Sequence, residues 1–128
     1  MTEPKPARIL VADDEPAIAE LLRTVLSLWS YAVDICADGE AALARASEDR
    51  YAMLVLDHQM PRLTGLDVVR ALRAANHRVP AVLMSGHLSD LLVEECRSLS
   101  GITLLPKPFT LAALREALDR AKDSGTGR

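Results

Sequence analysis

The chain has 128 residues, 49% of them hydrophobic and 26% charged, with a net charge of −3. That length suits a single domain able to bury roughly two-thirds of its unfolded surface. The composition excludes a disordered segment, and the charge offers no clustered basic excess for a nucleic-acid surface.

The opening Met1-Thr2-Glu3-Pro4-Lys5-Pro6 is polar and proline-rich, unlike a signal peptide, and residues 1–7 are expected to be a flexible leader. No apolar run approaches the ~20 residues needed to cross a bilayer, so a cytoplasmic protein without a membrane partner is expected. Arg8-Ile9-Leu10-Val11-Ala12 is an apolar run of strand length. Pro16 to Trp29 then carries Ile18, Leu21, Leu22, Val25, Leu26, Leu28 and Trp29 at three-to-four spacing, one helical face. Pro16 fits the first turn, where its missing N–H costs nothing. Ala32 to Cys36 is a second strand, and Asp38 caps a helix to about Glu48 whose stripe is weak: Ala41, Ala42, Leu43 and Ala46.

Tyr51 to Leu56 is a third apolar strand, followed by a loop from Asp57 to Leu63. Thr64-Gly65-Leu66-Asp67 has the form of a capping box and opens a helix with Leu66, Val69 and Leu72 inward. Pro80 to Met84 is a fourth strand. Leu88, Leu91, Leu92, Cys96 and Leu99 mark a fourth helix that Gly101 ends. Ile102 to Leu105 is the fifth strand, and Thr110 caps a last helix bearing Leu111, Leu114, Leu118 and Ala121. The domain body spans 8–122, and 123–128 is expected to be a flexible polar tail. Cys36 and Cys96 lie in apolar segments without a metal-type spacing and are expected to be small buried hydrophobes.

Five β-α units in strict alternation, with continuously apolar strands, imply an α/β fold whose parallel sheet is buried on both faces. Right-handed crossovers leave a doubly wound sheet or a closed barrel. Five units are too few for an eight-fold barrel, so we expect a flavodoxin-like open sheet of order 2-1-3-4-5. Its crevice lies at the carboxyl ends of the first and third strands.

Asp13-Asp14-Glu15 follows the first strand, Asp57 the third, Ser85 the fourth and Lys107 the fifth. Taken singly, each has an ordinary reading as a cap, a loop acid, a turn or a solvated cation. Together they bring acids, a hydroxyl and an ammonium to one rim. Asp13, Asp14 and Asp57 against Lys107 leave that cluster near −2, a conflict that a hard divalent cation with oxygen ligands would remove. An ionised carboxylate beside a metal, an ammonium and a hydroxyl suits phosphoryl transfer to an aspartate.

At these residues the sequence resembles the receiver family of two-component response regulators, from about Arg8 to Ala121. The matching pieces are Ile9-Leu10-Val11-Ala12-Asp13-Asp14-Glu15-Pro16, Leu54-Val55-Leu56-Asp57-His58-Gln59-Met60-Pro61 with Gly65, Val82-Leu83-Met84-Ser85-Gly86, and Leu105-Pro106-Lys107-Pro108-Phe109. The resemblance implies that Asp57 takes a phosphoryl group from a sensor histidine kinase or phosphotransfer protein. It implies Mg²⁺ (or Mn²⁺) on Asp13, Asp14, Asp57 and the backbone carbonyl of Gln59. Ser85 and Lys107 would contact the phosphoryl group, the Lys107–Pro108 bond would be cis, and Gly65 would permit the turn after the acceptor loop. Gln59 and His87 fall at the positions that tune phosphoryl lifetime in this family. Leu104 stands where many members have an aromatic switch residue. His58 reads as an exposed loop histidine, His77 as an inert one, and Phe109 as packed under the last helix.

The function expected is a phosphorylatable switch rather than an enzyme with a metabolic substrate. Its partner surface would include the fourth and fifth helices, where a homodimer could form, and the first helix, where a kinase would dock. A flavin carrier on the same architecture would need a hydroxyl-rich first loop and stacking aromatics, and only 3% of these residues are aromatic. An aspartate-nucleophile phosphatase would place its acceptor after the first strand and add a cap. No output domain is visible after residue 121, so a stand-alone receiver and a piece of a larger regulator or hybrid kinase are both open.

Overall fold

The computed structural model of the protein describes residues 5–48 and 50–126, with side chains as far as residue 123. Five β-α units follow one another: β1 (Arg8–Ala12), α1 (Pro16–Leu28), β2 (Ala32–Cys36), α2 (Gly39–Glu48), β3 (Met53–Asp57), α3 (Gly65–Ala74), β4 (Ala81–Ser85), α4 (Asp90–Arg97), β5 (Ile102–Pro106) and α5 (Leu111–Thr126). All strand pairings are parallel, in the order β2-β1-β3-β4-β5. This is the doubly wound sheet expected from the alternation.

Alternate strand residues feed opposite faces, because side chains on a strand have a period of two. Leu10, Ala12, Leu54, Leu56, Ala81 and Leu83 face α2, α3 and α4, whereas Ile9, Val11, Met53, Val55, Val82 and Met84 face α1 and α5. Strands β1, β3 and β4 are therefore buried on both sides, which is why they read as unbroken apolar runs.

Local chemistry sets the helix starts. Asp38 Oδ1 accepts from the Ala41 N–H at 2.8 Å, and Thr110 Oγ1 from the Ala113 N–H at 3.0 Å. Thr64 and Asp67 exchange both bonds of a capping box at 3.1 Å.

Three helical expectations need correction. On α1, Leu21 and Leu28 are 47% and 77% exposed, because that apolar stripe is wider than the strip of sheet it covers. The fourth helix starts at Asp90 rather than Leu88; the Ser89 hydroxyl caps it by accepting from the Leu92 N–H at 3.1 Å, and Leu91 points out at 70% exposure. Leu111 likewise is exposed at the start of α5, and that helix continues to Thr126, past the point where a polar tail is expected. Most of the expected leader, and residues 127–128 of the tail, lie outside the described residues.

Candidate functional site

Strand register brings the polar residues to one level of the sheet. Ala12 pairs with Leu56, so Asp13 and Asp57 are the next residues of adjacent strands. Asp57 pairs with Met84, one residue before Ser85, and the Lys107 N–H donates to the Ser85 carbonyl at 2.8 Å. The rim thus gathers four strand ends in sequence order 1, 3, 4, 5, the crevice predicted for this topology.

Asp13, Asp14 and Asp57 each offer a carboxylate oxygen within 4.8 Å of the others. Asp13 and Asp57 are buried, at 2% and 3% exposure, while Asp14 faces solvent. Lys107 Nζ lies 3.4 Å from Asp13 Oδ2 and 3.4 Å from Asp57 Oδ1, and 3.7 Å from Glu15 Oε1. Glu15 is a further partner, outside the expected set of site residues. Its adjacency to two site acids was the available signal. Asp13, Glu15 and Asp57 share this ammonium and Asp14 adds a fourth carboxylate to the cluster, a deeper deficit of positive charge than Asp13, Asp14 and Asp57 alone would give.

The electrostatic consequences follow from that imbalance. Burial first, and the Asp13 carboxylate second, push the Asp57 carboxyl above its ordinary range; Lys107 and the Gln59 N–H, 3.4 Å from Asp57 Oδ1, pull back without winning. Burial works against charge on Lys107, yet Asp13 and Asp57 together hold its ammonium above the usual range. The donors are all carboxylate oxygens, crowded and short of positive charge. A hard dication such as Mg²⁺ fits that set; a soft metal does not.

Ser85 is completely buried. Its hydroxyl donates to the His87 carbonyl at 3.0 Å and accepts from the His87 N–H at 3.1 Å, so it is engaged with its own loop. Gln59 and His87 are both exposed beside the cluster. Leu104 lies away from it, half-buried in a groove of about 360 Å³ that Val93, Cys96 and Arg120 also line, between α4 and α5. On the other side, Ile18, Leu21, Pro108 and Phe109 form an apolar hollow of about 550 Å³ next to Glu15 and Lys107.

Other expectations are refined. The Lys107–Pro108 bond is cis. Gly65 is needed for room and not for a turn: a Cβ there would stand 2.5 Å from Leu83 Cδ1 and 2.7 Å from the Asp57 carbonyl oxygen. The left-handed residue of the acceptor loop is Arg62, at φ 76°. His58 is half-buried instead of exposed, with an Nδ1 that finds no hydrogen-bond partner among the described residues, and burial lowers its pKa. His77 is engaged, its Nε2 lying 3.0 Å from the Ala46 carbonyl oxygen. Cys96 is buried and Cys36 half-buried; both are free thiols, and burial pushes Cys36 up to about 11.

Comparison with known proteins agrees with this geometry. The sequence matches the family model of the response regulator receiver domain over residues 9–119. It is 40% identical over 129 residues to the response regulator MprA of Mycolicibacterium vanbaalenii, a match covering 95% of this chain and 55% of that protein. The MprA of Mycobacterium tuberculosis is 40% identical over 121 residues, covering 90% and 52%. The chain therefore spans about half the length of the curated relatives it matches. Among solved structures, the chemotaxis protein CheY4 of Vibrio cholerae superposes with a TM-score of 0.83 at 29% identity, over 91% of this chain and 98% of that one. The receiver domain of the sensor histidine kinase PA1611 of Pseudomonas aeruginosa, solved with a magnesium ion coordinated in its active-site cleft, gives 0.81 at 28% identity over the same shares. A family match that runs from β1 into α5, joined to an acid cluster at the sheet's carboxyl rim, makes this chain a member of the response regulator receiver domains, the signalling switches that receive phosphoryl groups from histidine kinases.

Proposed function

We propose that Asp57 is the phosphoacceptor of this receiver and that Asp13, Asp14, Asp57 and the Gln59 backbone carbonyl form its metal site. The observation that carries the reading is the meeting of three carboxylates within 4.8 Å, two of them 3.4 Å from one lysine ammonium. Mg²⁺ (or Mn²⁺) held there supplies positive charge against the oxygens of an incoming phosphoryl group. An Asp57 carboxylate oxygen attacks the phosphorus of a phosphohistidine on a sensor kinase or phosphotransfer protein. The phosphorus–nitrogen bond breaks, and the departing imidazole keeps the electron pair and takes a proton from solvent.

Lys107 neutralises phosphoryl charge from a position it already occupies between Asp13 and Asp57. Ser85 exchanges its bond to the His87 carbonyl for one to a phosphoryl oxygen, which couples the acceptor to the loop after β4. Gln59 and His87, exposed beside the acceptor, set how fast water reaches the acyl phosphate, so the domain governs its own dephosphorylation. Unchanged phosphate loss in Gln59→Asn and His87→Ala would end that part of the reading.

Exposed Leu21 lines the apolar hollow beside Lys107, which suits docking of a kinase from the α1 side. The groove beside Leu104 suits the output partner or a second copy of the chain, and its aliphatic residue makes the response of that face differ from that of an aromatic switch. No helix among the described residues is long and apolar enough to cross a membrane. The test is incubation with Mg²⁺ and acetyl phosphate, read by intact mass. Wild type should gain one phosphoryl group and Asp57→Asn none; equal labelling of the two would reject Asp57 as acceptor.

A further inference from the structure

The acceptor loop, residues 58–64, is tied to the sheet and to α3 at its two ends. The His58 N–H donates to the Met84 carbonyl at 2.8 Å, and the His58 carbonyl accepts from the Gly65 N–H at 3.0 Å. Between them, Pro61 to Leu63 make a tight turn in which the Leu63 N–H reaches the Pro61 carbonyl at 2.9 Å, and Arg62 takes a left-handed φ of 76° that an L side chain seldom adopts. Such a turn persists where surrounding structure holds it. The hold comes from another β-α unit.

Gly39, the buried first residue of α2, lies directly against this turn. A Cβ at that position would stand 2.2 Å from the Leu63 carbonyl oxygen and 2.6 Å from Leu63 Cβ. The oxygen belongs to the backbone, so a rotamer change at Leu63 could not make room; the loop itself would have to move. The next residue, Glu40, pairs with the Arg62 guanidinium at 3.2 Å. Three residues before Gly39, the Cys36 carbonyl accepts the Asp13 N–H at 3.2 Å. One short segment, 36–40, thus touches both the loop that carries Asp13 and the loop that carries Gln59, whose N–H in turn faces Asp57.

We propose that Gly39 and Glu40 are positioning residues for the metal and phosphoryl site: they clamp the Pro61–Leu63 turn against α2 and so fix where Gln59 stands relative to Asp13 and Asp57. The segment acts at one remove from the carboxylates, Gly39 through the Leu63 backbone and Glu40 through the Arg62 guanidinium. The inference deepens the proposed function and rests on it, since it assigns a second tier of control over the same carboxylate cluster. It also explains why α2 starts on the residue with the poorest intrinsic preference for a helix after proline. Alanine there would favour the helix but would intrude on the loop.

The experiment is calorimetric titration of Mg²⁺ into the intact protein, with thermal unfolding of the metal-free form and amide exchange at residues 59–63 read in parallel. Gly39→Ala should weaken Mg²⁺ binding by about tenfold, the lower end of what supporting residues around a metal contribute, and speed exchange at Gln59. A merely structural role would lower the melting temperature and leave affinity unchanged. Glu40→Arg provides a second route that leaves the buried contact of Gly39 intact: this surface change opposes Arg62 with like charge. It should weaken Mg²⁺ binding two- to threefold, on the order expected for an exposed pair, and Glu40→Arg combined with Arg62→Glu should restore it. Wild-type affinity in Gly39→Ala, or in Glu40→Arg if the first variant does not fold, would overturn the clamp while leaving the proposed function standing. A wild-type protein that takes no Mg²⁺ would sink both.

Discussion

Two clusters in this molecule set carboxylates against cations and behave in opposite ways. Near the β2 edge, the Asp34 carboxylate accepts from the Arg8 and Arg45 guanidinium groups, the latter at 3.2 Å, and from the Tyr51 hydroxyl at 2.7 Å. The Arg8 hydrogen bond first and the Tyr51 hydroxyl second hold that carboxyl below its usual range, against the effect of burial. At the carboxyl rim of the sheet, Asp13, Glu15 and Asp57 share Lys107, and Asp57 is pushed the other way. One cluster has more cation than acid and is complete. The other is short of positive charge, which a dication would supply. Where charges are buried, the sign of the local imbalance separates a cluster that supports the fold from one held ready for a ligand.

The sharpest way to break this contrast is to remove the shared ammonium. Lys107→Ala should slow phosphorylation from acetyl phosphate by about 10²–10³-fold, as for other preorganised donors to a transferring group, without weakening Mg²⁺ binding. An unchanged rate would place Lys107 outside the reaction. Next in size is the metal itself. At Mg²⁺ a hundredfold above its Kd, thermal unfolding should register about 2.7 kcal/mol of added stability in wild type. Most of that gain should vanish in Asp57→Asn, and as acidification protonates Asp57, because proton and metal compete for its oxygens. Equal gains in the two proteins would mean that Asp57 is no ligand.

A third prediction turns on sign. Asp57 has a raised carboxyl pKa in the folded state, so its favourable contribution is complete below the unfolded pKa near 3.8 and is lost as pH rises through the folded value. Metal-free wild type is therefore penalised at neutral pH. Asp57→Asn should be more stable there by roughly 1–2 kcal/mol, with the gap closing toward pH 3. Asp34 has the reverse sign: its contribution is present above pH 3.8 and is lost as pH falls toward its lowered value. Asp34→Asn should cost about 0.5–1 kcal/mol at pH 7, the smallest of the four effects, and should cost little near pH 3. Denaturant melts at the two pH values measure both variants, and parallel behaviour of Asp57 and Asp34 would erase the distinction between the clusters.

Much of the rim was legible in the order of residues. Asp13, Asp57, Ser85 and Lys107 each follow directly on an apolar run, and in a parallel sheet all such positions share one edge. The capping residues Asp38, Thr64 and Thr110 were legible too, because a cap acts within three residues of itself. Leu21, Leu28 and Leu91 are exposed against expectation, because periodicity says which residues share a helix face but not how wide a strip the sheet will cover. The half-burial of His58 was not legible, because its surroundings come from α3 and α4, away from it along the chain.

The amino-acid sequence alone determined the alternation of strand and helix, and with it the parallel sheet and the strand ends that carry the acids, since those signals are periods and caps written within a few neighbouring residues. Only the tertiary structure decided that Lys107 stands between Asp13 and Asp57 with Glu15 close by, and that Ser85 is engaged with His87. The same holds for Gly39, whose missing Cβ makes space for Leu63. Those distances arise where segments tens of residues apart meet, and no local pattern encodes a separation between side chains that only the crossovers of the chain bring together.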